Sequence, residues 1–168
     1  MSASKAELSF AEMLEANQRE TERWHNWFRK QSANLLDVPL NIAQAKNVRE
    51  FLLHIFAVEL RYAERLLDQE VTPYEAHSTG TVDDLFAIGK NARQLYTKYL
   101  ERATDEDLAV VLEFPTRISG VLRSSKRKMF AHAMLHGVRH WAQMATALRE
   151  AGHATDWPHD LIFSDVIP

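Results

Sequence analysis

Residues 46–69 read KNVREFLLHIFAVELRYAERLLDQ and contain the pattern that decides the fold. Apolar side chains recur at helical spacing and cover most of the circumference, as expected of a helix packed against several neighbours. The remaining polar arc carries Glu50, His54, Arg61 and Arg65. The segment therefore predicts a central helix with a single polar stripe.

Three more segments show helical periodicity, and the five glycines and five prolines lie mainly outside them. They predict a first helix over residues 5–31, a third over residues 81–103 and a last one over residues 124–151. The core candidates of the first helix are Leu8, Met13, Leu14, Trp24, Trp27 and Phe28.

The predicted helix ends carry recognisable capping residues. Thr81 followed three residues later by Asp84 resembles a capping box with the shorter acid. Either Ser124 or Ser125 can cap the last helix, and Gly152 stands where a C-cap is expected.

The segment before the last helix has a different pattern. Residues 107–122, DLAVVLEFPTRISGVL, are rich in β-branched side chains and contain Pro115 and Gly120. This composition favours a short hairpin or extended connection over a helix. The tail HATDWPHDLIFSDVIP is expected to pack irregularly. Together these patterns predict an all-α four-helix bundle, with an extended crossing connection between helices 3 and 4, as a single domain over residues 1–168.

Composition excludes several classes of function. Twenty Lys and Arg against 23 Asp and Glu give a net charge of -3, so there is no basic excess for nucleic acid. The sequence contains neither the ~20 apolar residues of a membrane span nor the apolar stretch of a secretory signal, so we expect a cytoplasmic protein without membrane association. Because there is no cysteine, strong metal ligands must come from His, Asp or Glu.

Histidines recur every four residues in the last helix, at His132, His136 and His140, followed by Gln143. Residues four apart lie on one helix face with Cβ atoms about 6 Å apart, so two imidazoles can converge on one ion. The same spacing also fits a solvated face. A metal site therefore needs a third ligand from another segment.

His54 is the best candidate for that third ligand. It lies in the middle of an apolar helix, where an unpaired imidazole is costly. The alternative is a core histidine bonded to a carbonyl or an acid. Glu59 is about 140° around the same helix from His54, which favours an ion pair or another direction over a role as general base.

Two of these segments resemble a known family. Residues 51–59, FLLHIFAVE, and residues 136–143, HGVRHWAQ, are similar to the DinB-like or YfiT-type proteins, which are metal-binding four-helix bundles. The resemblance covers nearly the whole chain. The family's last-helix motif usually reads HxxxHRGQ, whereas Trp141 and Ala142 stand here in place of Arg and Gly.

The resemblance implies that His54, His136 and His140 hold one divalent ion. With a fourth position open, the site would be of the catalytic type. Imidazole ligands suit zinc, nickel, iron and copper, and we expect zinc or nickel, with iron as an alternative. The resemblance also implies a low-molecular-weight thiol cosubstrate such as mycothiol or bacillithiol. The implied function is a metal-dependent thiol S-transferase or isomerase acting on a small molecule, with catalytic residues unassigned.

Two other functions stay open at this point. A metal-dependent hydrolase would activate water and needs a nearby proton carrier, for which His132 is the nearest candidate in the sequence. A non-catalytic, stress-related binding or dimerisation module would have a closed site without a pocket. Gln143 is either a second-shell residue or a surface amide. A homodimer is expected from the resemblance, with residues 109–112 as contact surface.

Overall fold

The computed structural model describes residues 7–116 and 120–166, and these residues are mostly helical. The α-helices are α1 (Phe10–Phe28), α2 (Val48–Leu66), α3 (Val82–Leu100), α4 (Asp105–Ala109) and α5 (Lys126–Glu150). The strands are β1 (Pro39–Ile42), β2 (Ala45–Asn47), β3 (Val111–Pro115) and β4 (Val121–Ser125), and 3-10 turns cover Ala33–Asp37, Tyr74–Ala76 and Leu161–Phe163. The chain is therefore broadly all-α, as predicted, with four long helices and two small strand pairs.

Side-chain caps set where the long helices begin. Ser9 accepts a hydrogen bond from the Glu12 amide, so α1 begins at Phe10 rather than at residue 5. The predicted box of Thr81 and Asp84 is present at the start of α3. Ser125 caps α5, which leaves Ser124 in β4.

Four predicted helix boundaries extend past the helices that form. Helix α1 ends at Phe28 rather than residue 31, and α2 ends at Leu66 rather than residue 69. Residues 46 and 47 belong to β2, because Asn47 adopts extended backbone and caps α2. Helix α3 ends at Leu100, three residues before the predicted end. Residues 5 and 6 lie outside the described part of the chain.

The long helices share one apolar core, in which α2 packs against α3 and α5, and α1 packs against the same two helices. The Trp24 ring of α1 stacks on Trp141 of α5 with centroids 5.1 Å apart. Most of the predicted α1 core residues are buried, and Met13 is half-buried. Leu8 is 49% exposed, because it precedes the helix and therefore does not follow its apolar face.

A buried ion pair crosses this core. Glu59 Oε2 lies 3.2 Å from Arg93 Nη2, and both side chains are almost fully buried. Burial raises the pKa of Glu59, and the Arg93 charge opposes that shift. Arg93 Nη2 also donates to Thr21 Oγ1 at 2.6 Å. Glu59 is therefore an interior ion-pair partner, one of the two outcomes expected from its position.

The connection before α5 is a hairpin, as predicted from Val111 onward. Strands β3 and β4 pair antiparallel with Val111 opposite Ser125. Asp107 to Ala109 were predicted extended but are helical, because Thr104 accepts a hydrogen bond from the Asp107 amide and starts α4. Residues 117–119 of the predicted segment lie outside the described part of the chain.

A second hairpin, β1–β2, had no signal in the sequence. Its two turn residues, Ala43 and Gln44, have φ values of 50° and 69°. Such turns usually contain Asn or Gly, which tolerate positive φ. Tertiary contacts therefore hold this turn: β1 and β2 both contact α2.

The tail packs irregularly on α1, as predicted. Trp157 Nε1 donates to Glu20 at 3.2 Å, and the His159 ring stacks on Trp24 with centroids 5.0 Å apart. Across residues 7–116 and 120–166, no helix has both the length and the apolar character needed to cross a membrane.

Candidate metal centre

Three histidines from two helices meet between α2 and α5. His54 lies in the first half of α2, whereas His136 and His140 lie one turn apart on α5. His140 Nε2 is 3.3 Å from His54 Nε2 and 3.0 Å from His136 Nε2. The packing of α2 against α5 thus brings together the three residues predicted as ligands, as a group that could hold a metal ion.

The spacing of the nitrogens fits a divalent ion. Nitrogens bound at about 2.0 to 2.1 Å in tetrahedral geometry are about 3.3 Å apart. The two Nε2–Nε2 distances, 3.0 and 3.3 Å, are close to that value.

The protonation state of His136 and His140 is also compatible with metal binding. Burial, together with the neighbouring His140 and His54, lowers the pKa of His136 to about 2. Burial is also the main cause that lowers the pKa of His140. Both rings are therefore neutral near pH 7, which is the form that binds metal.

Gln143 orients one of the rings. Its Oε1 accepts a hydrogen bond from His140 Nδ1 at 2.6 Å. Because Nδ1 carries the proton, Nε2 keeps its lone pair and faces the other two histidines. The predicted second-shell residue thus contacts a candidate ligand directly. Phe51 packs edge-on against the same ring with centroids 5.1 Å apart and limits its rotation.

Arg139 is a neighbour that sequence reasoning missed. Its Nη2 lies 3.1 Å from His140 Nε2, so it donates to the lone pair that a metal would use. The side chain is exposed and long, so it can swing away when an ion binds. Its position three residues after His136 was the available signal, because that spacing places both on one face.

His132 lies beside the cluster and outside it. Its ring centroid is 5.8 Å from that of His136 and 5.4 Å from that of Tyr62. Partial burial, followed by the charges of Arg139 and Lys128, lowers its pKa. It is therefore placed to exchange protons near the cluster rather than to join it as a ligand.

The cluster opens onto a cleft of about 840 Å³ between α2, α5 and the β3–β4 hairpin. His54, His132 and His136 line it, and so do Arg61 and Arg65 of α2. Apolar wall residues include Leu53, Val58, Phe114 and Met129. A small organic molecule can therefore reach the histidines from this side.

Comparison with known proteins gives one finding. A family model described as the DinB family matches residues 1–164, which include every residue of the histidine cluster. No curated protein matches the chain.

Proposed function

The chain belongs to the DinB family. From this premise we propose that it is a metal-dependent thiol S-transferase or isomerase, which uses a low-molecular-weight thiol to act on a small molecule. The observation that carries the proposal is the histidine cluster, two members of which, His54 and His136, line an open cleft. A closed, purely structural site would have no such access. The cleft therefore favours catalysis over a non-catalytic binding or dimerisation module.

His54, His136 and His140 would hold one divalent ion, with zinc or nickel expected first and iron as an alternative. Such an ion, with a position left open, lowers the pKa of a thiol or water that binds there. Gln143 keeps His140 in the ligating tautomer, and the buried rings stay neutral. Because the chain has no cysteine, the thiol must be a separate molecule.

A metal-dependent hydrolase is the second candidate, and the position of His132 favours it. This residue lines the cleft one turn before His136 and can carry a proton to or from a reacting group. Hydrolysis of an ester or amide needs such a carrier but no thiol. The two reactions are thus separated by their cosubstrate.

Other features of the proposal concern the whole molecule. We propose that the four long helices form a single four-helix-bundle domain over residues 1–168.

We also propose a cytoplasmic homodimer that binds neither nucleic acid nor membrane. Val110 and Val111, 43% and 54% exposed, support a contact surface at residues 109–112. Light scattering on a size-exclusion column tests the dimer, and a Val111→Lys variant should shift it toward monomer.

The first test is metal content, measured by inductively coupled plasma mass spectrometry on tag-free protein purified without chelator. We expect about one ion per chain, lost in a His54→Ala, His140→Ala double variant and in His136→Ala. The matched control is His153→Ala, because His153 lies beyond the end of α5. Equal metal content in His136→Ala and His153→Ala contradicts the ligand assignment.

The second test separates the reactions. Metal-loaded protein is given 1-chloro-2,4-dinitrobenzene with a low-molecular-weight thiol, and separately 4-nitrophenyl acetate without thiol. Thiol-dependent turnover that the double variant lacks supports the transferase. Ester turnover without thiol, reduced in His132→Ala, supports the hydrolase instead. Metal binding without either activity moves the function toward a binding module.

A further inference from the structure

The charge of the cleft is opposite to that of the chain. The chain as a whole carries -3. Among the described residues that line the cleft, the basic ones are Arg61, Arg65, Arg123, Lys128 and Arg139, and Glu50 is the acidic one. Five positive and one negative charge give these Lys, Arg and Glu side chains a net charge of +4. Such a concave, one-signed surface attracts a ligand of the opposite sign.

Within the described part of the chain, Arg123 pairs with Glu113 and the other four cations form no ion pair; of these four, Arg61 and Arg65 are half-buried, whereas Lys128 and Arg139 are exposed. Arg61 and Arg65 lie four residues apart on α2, are half-buried, and form no ion pair within the described part of the chain. Arg61 Nε is buried and has no hydrogen-bond partner there. Arg65 stacks over the Phe114 ring at 4.9 Å and donates to the Arg61 carbonyl. Like charges at this spacing repel, so the arrangement costs stability unless an anion binds between them.

The nearby acids are held by other groups. Glu64, the neighbour of Arg65 on α2, accepts a hydrogen bond from the Thr72 amide at 2.9 Å. Glu50 accepts one from the Lys46 amide at 2.9 Å, at the other end of the cleft. Both carboxylates are thus engaged by backbone amides, and neither forms an ion pair with Arg61 or Arg65 within the described part of the chain.

The arginines follow the same stripe of α2 as His54. At 100° per residue, Arg61 and Arg65 lie within about 20° of His54 around the helix axis, and about 10 Å and 16 Å along it. Helix α5 forms the opposite wall and runs antiparallel to α2, because Lys126 Nζ at the start of α5 donates to the Leu66 carbonyl at the end of α2, whereas His140 lies beside His54. The cleft thus has the histidines and Arg139 toward one end and Arg61, Arg65 and Lys128 toward the other.

We propose that Arg61 and Arg65 form an anion subsite, which binds a carboxylate or phosphate of the substrate or cosubstrate. A guanidinium presents several donors in a plane and suits both groups. The apolar residues between the two ends would contact the middle of the ligand. That the other end of the ligand reaches the histidines rests on the proposed function, whereas the anion subsite itself does not.

Isothermal titration at low ionic strength tests the subsite with three probes of similar size: phenyl phosphate, benzoate and benzyl alcohol. The protein is used as purified, beside Arg61→Met, Arg65→Met and the double variant, which keep much of the apolar stem. Arg23→Met is the matched control, because Arg23 is an exposed mid-helix residue of α1 outside the cleft. Circular dichroism verifies folding, and Arg65→Lys provides a variant that keeps the charge.

We expect the anions to bind and the alcohol to bind far more weakly. Each methionine should weaken anion binding about tenfold or more, the loss expected for a charge-assisted hydrogen bond. Arg65→Lys should recover part of it, and Arg23→Met should match the parent. The tighter of the two anions identifies phosphate or carboxylate as the ligand group.

Undiminished anion binding in the double arginine variant, or no anion binding by the parent, overturns the subsite. The His54→Ala, His140→Ala variant keeps this result separate from the metal site. If that variant still binds the anions, the subsite stands whether or not the protein carries metal. If it loses the anions while the double arginine variant retains them, the anion binds at the histidines and the subsite is refuted.

Discussion

Replacing Gln143 by Leu should weaken metal binding without disturbing the fold. The Gln143 side chain is exposed, so no core packing is lost, but the 2.6 Å hydrogen bond to His140 Nδ1 disappears. Without that acceptor, His140 can place its proton on Nε2, the nitrogen that faces the other histidines. Metal binding must then shift the proton back, which lowers the affinity.

The expected loss of metal affinity follows from the solvent exposure of the Gln143–His140 hydrogen bond. Loss of a group that orients a metal-bound histidine typically costs 10- to 100-fold in affinity. Because water can reach Nδ1 once the amide is gone, the lower end applies, about tenfold or about 1.4 kcal/mol. Gln143→Glu should bind at least as tightly as the parent, because a carboxylate accepts a stronger hydrogen bond.

Competition with a chromogenic zinc chelator at pH 7.5 measures the dissociation constant. Gln94→Leu is the matched control, since Gln94 is an exposed glutamine on α3 away from the cleft. The control should match the parent within about twofold, the scatter of such a titration. Equal affinity in Gln143→Leu, Gln94→Leu and the parent would refute the idea that this hydrogen bond sets the tautomer of His140.

Three further predictions concern stability and are checked by urea unfolding. Gly137→Ala should lower the free energy of unfolding by about 1 to 3 kcal/mol, although alanine favours helix. The reason is that the new Cβ would lie 2.7 Å from Asn17 Nδ2 and 2.9 Å from Glu59 Oε1. An unchanged or higher free energy of unfolding would contradict this prediction. Glu59→Leu should lower the free energy of unfolding by about 3 to 5 kcal/mol, since Arg93 stays buried without its ion-pair partner. A decrease of less than about 1 kcal/mol would show that the ion pair is dispensable. Metal-free protein should lose stability as the pH falls below about 6.5, the unfolded pKa of histidine. The folded pKa of His136 is about 2, so only the unfolded state takes up this proton, at a cost of about 1 kcal/mol by pH 5.5, and a flat profile from pH 7.5 to 5.5 contradicts it.

The helices and their caps could be predicted because they depend on nearby residues. Thr81 and Asp84 form their box within one turn, and Ser125 caps α5 through the Lys128 amide. The spacing of His136 and His140 likewise requires only one helix. The predicted helix ends were up to three residues too long, because periodicity continues past the residues where the backbone hydrogen bonds stop.

The structural features that the sequence did not predict all depend on contacts between distant segments. The β1–β2 turn uses Ala43 and Gln44 at positive φ, which no local preference favours. Arg93 could not be paired with Glu59 from spacing alone, since the two residues come from different helices. The polar arc of α2 was visible, but the direction in which its arginines face depends on the neighbouring helix and hairpin.

By itself the sequence determined an all-α chain, the helix carrying each histidine and the family, because periodicity, capping and motif spacing are local properties. Only the tertiary structure decided that His54 meets His140, 86 residues away, with nitrogens 3.3 Å apart. It also decided that the cluster opens onto a cationic cleft. Such distances depend on how α2 and α5 pack, and packing follows from the shape of the whole core rather than from any one segment.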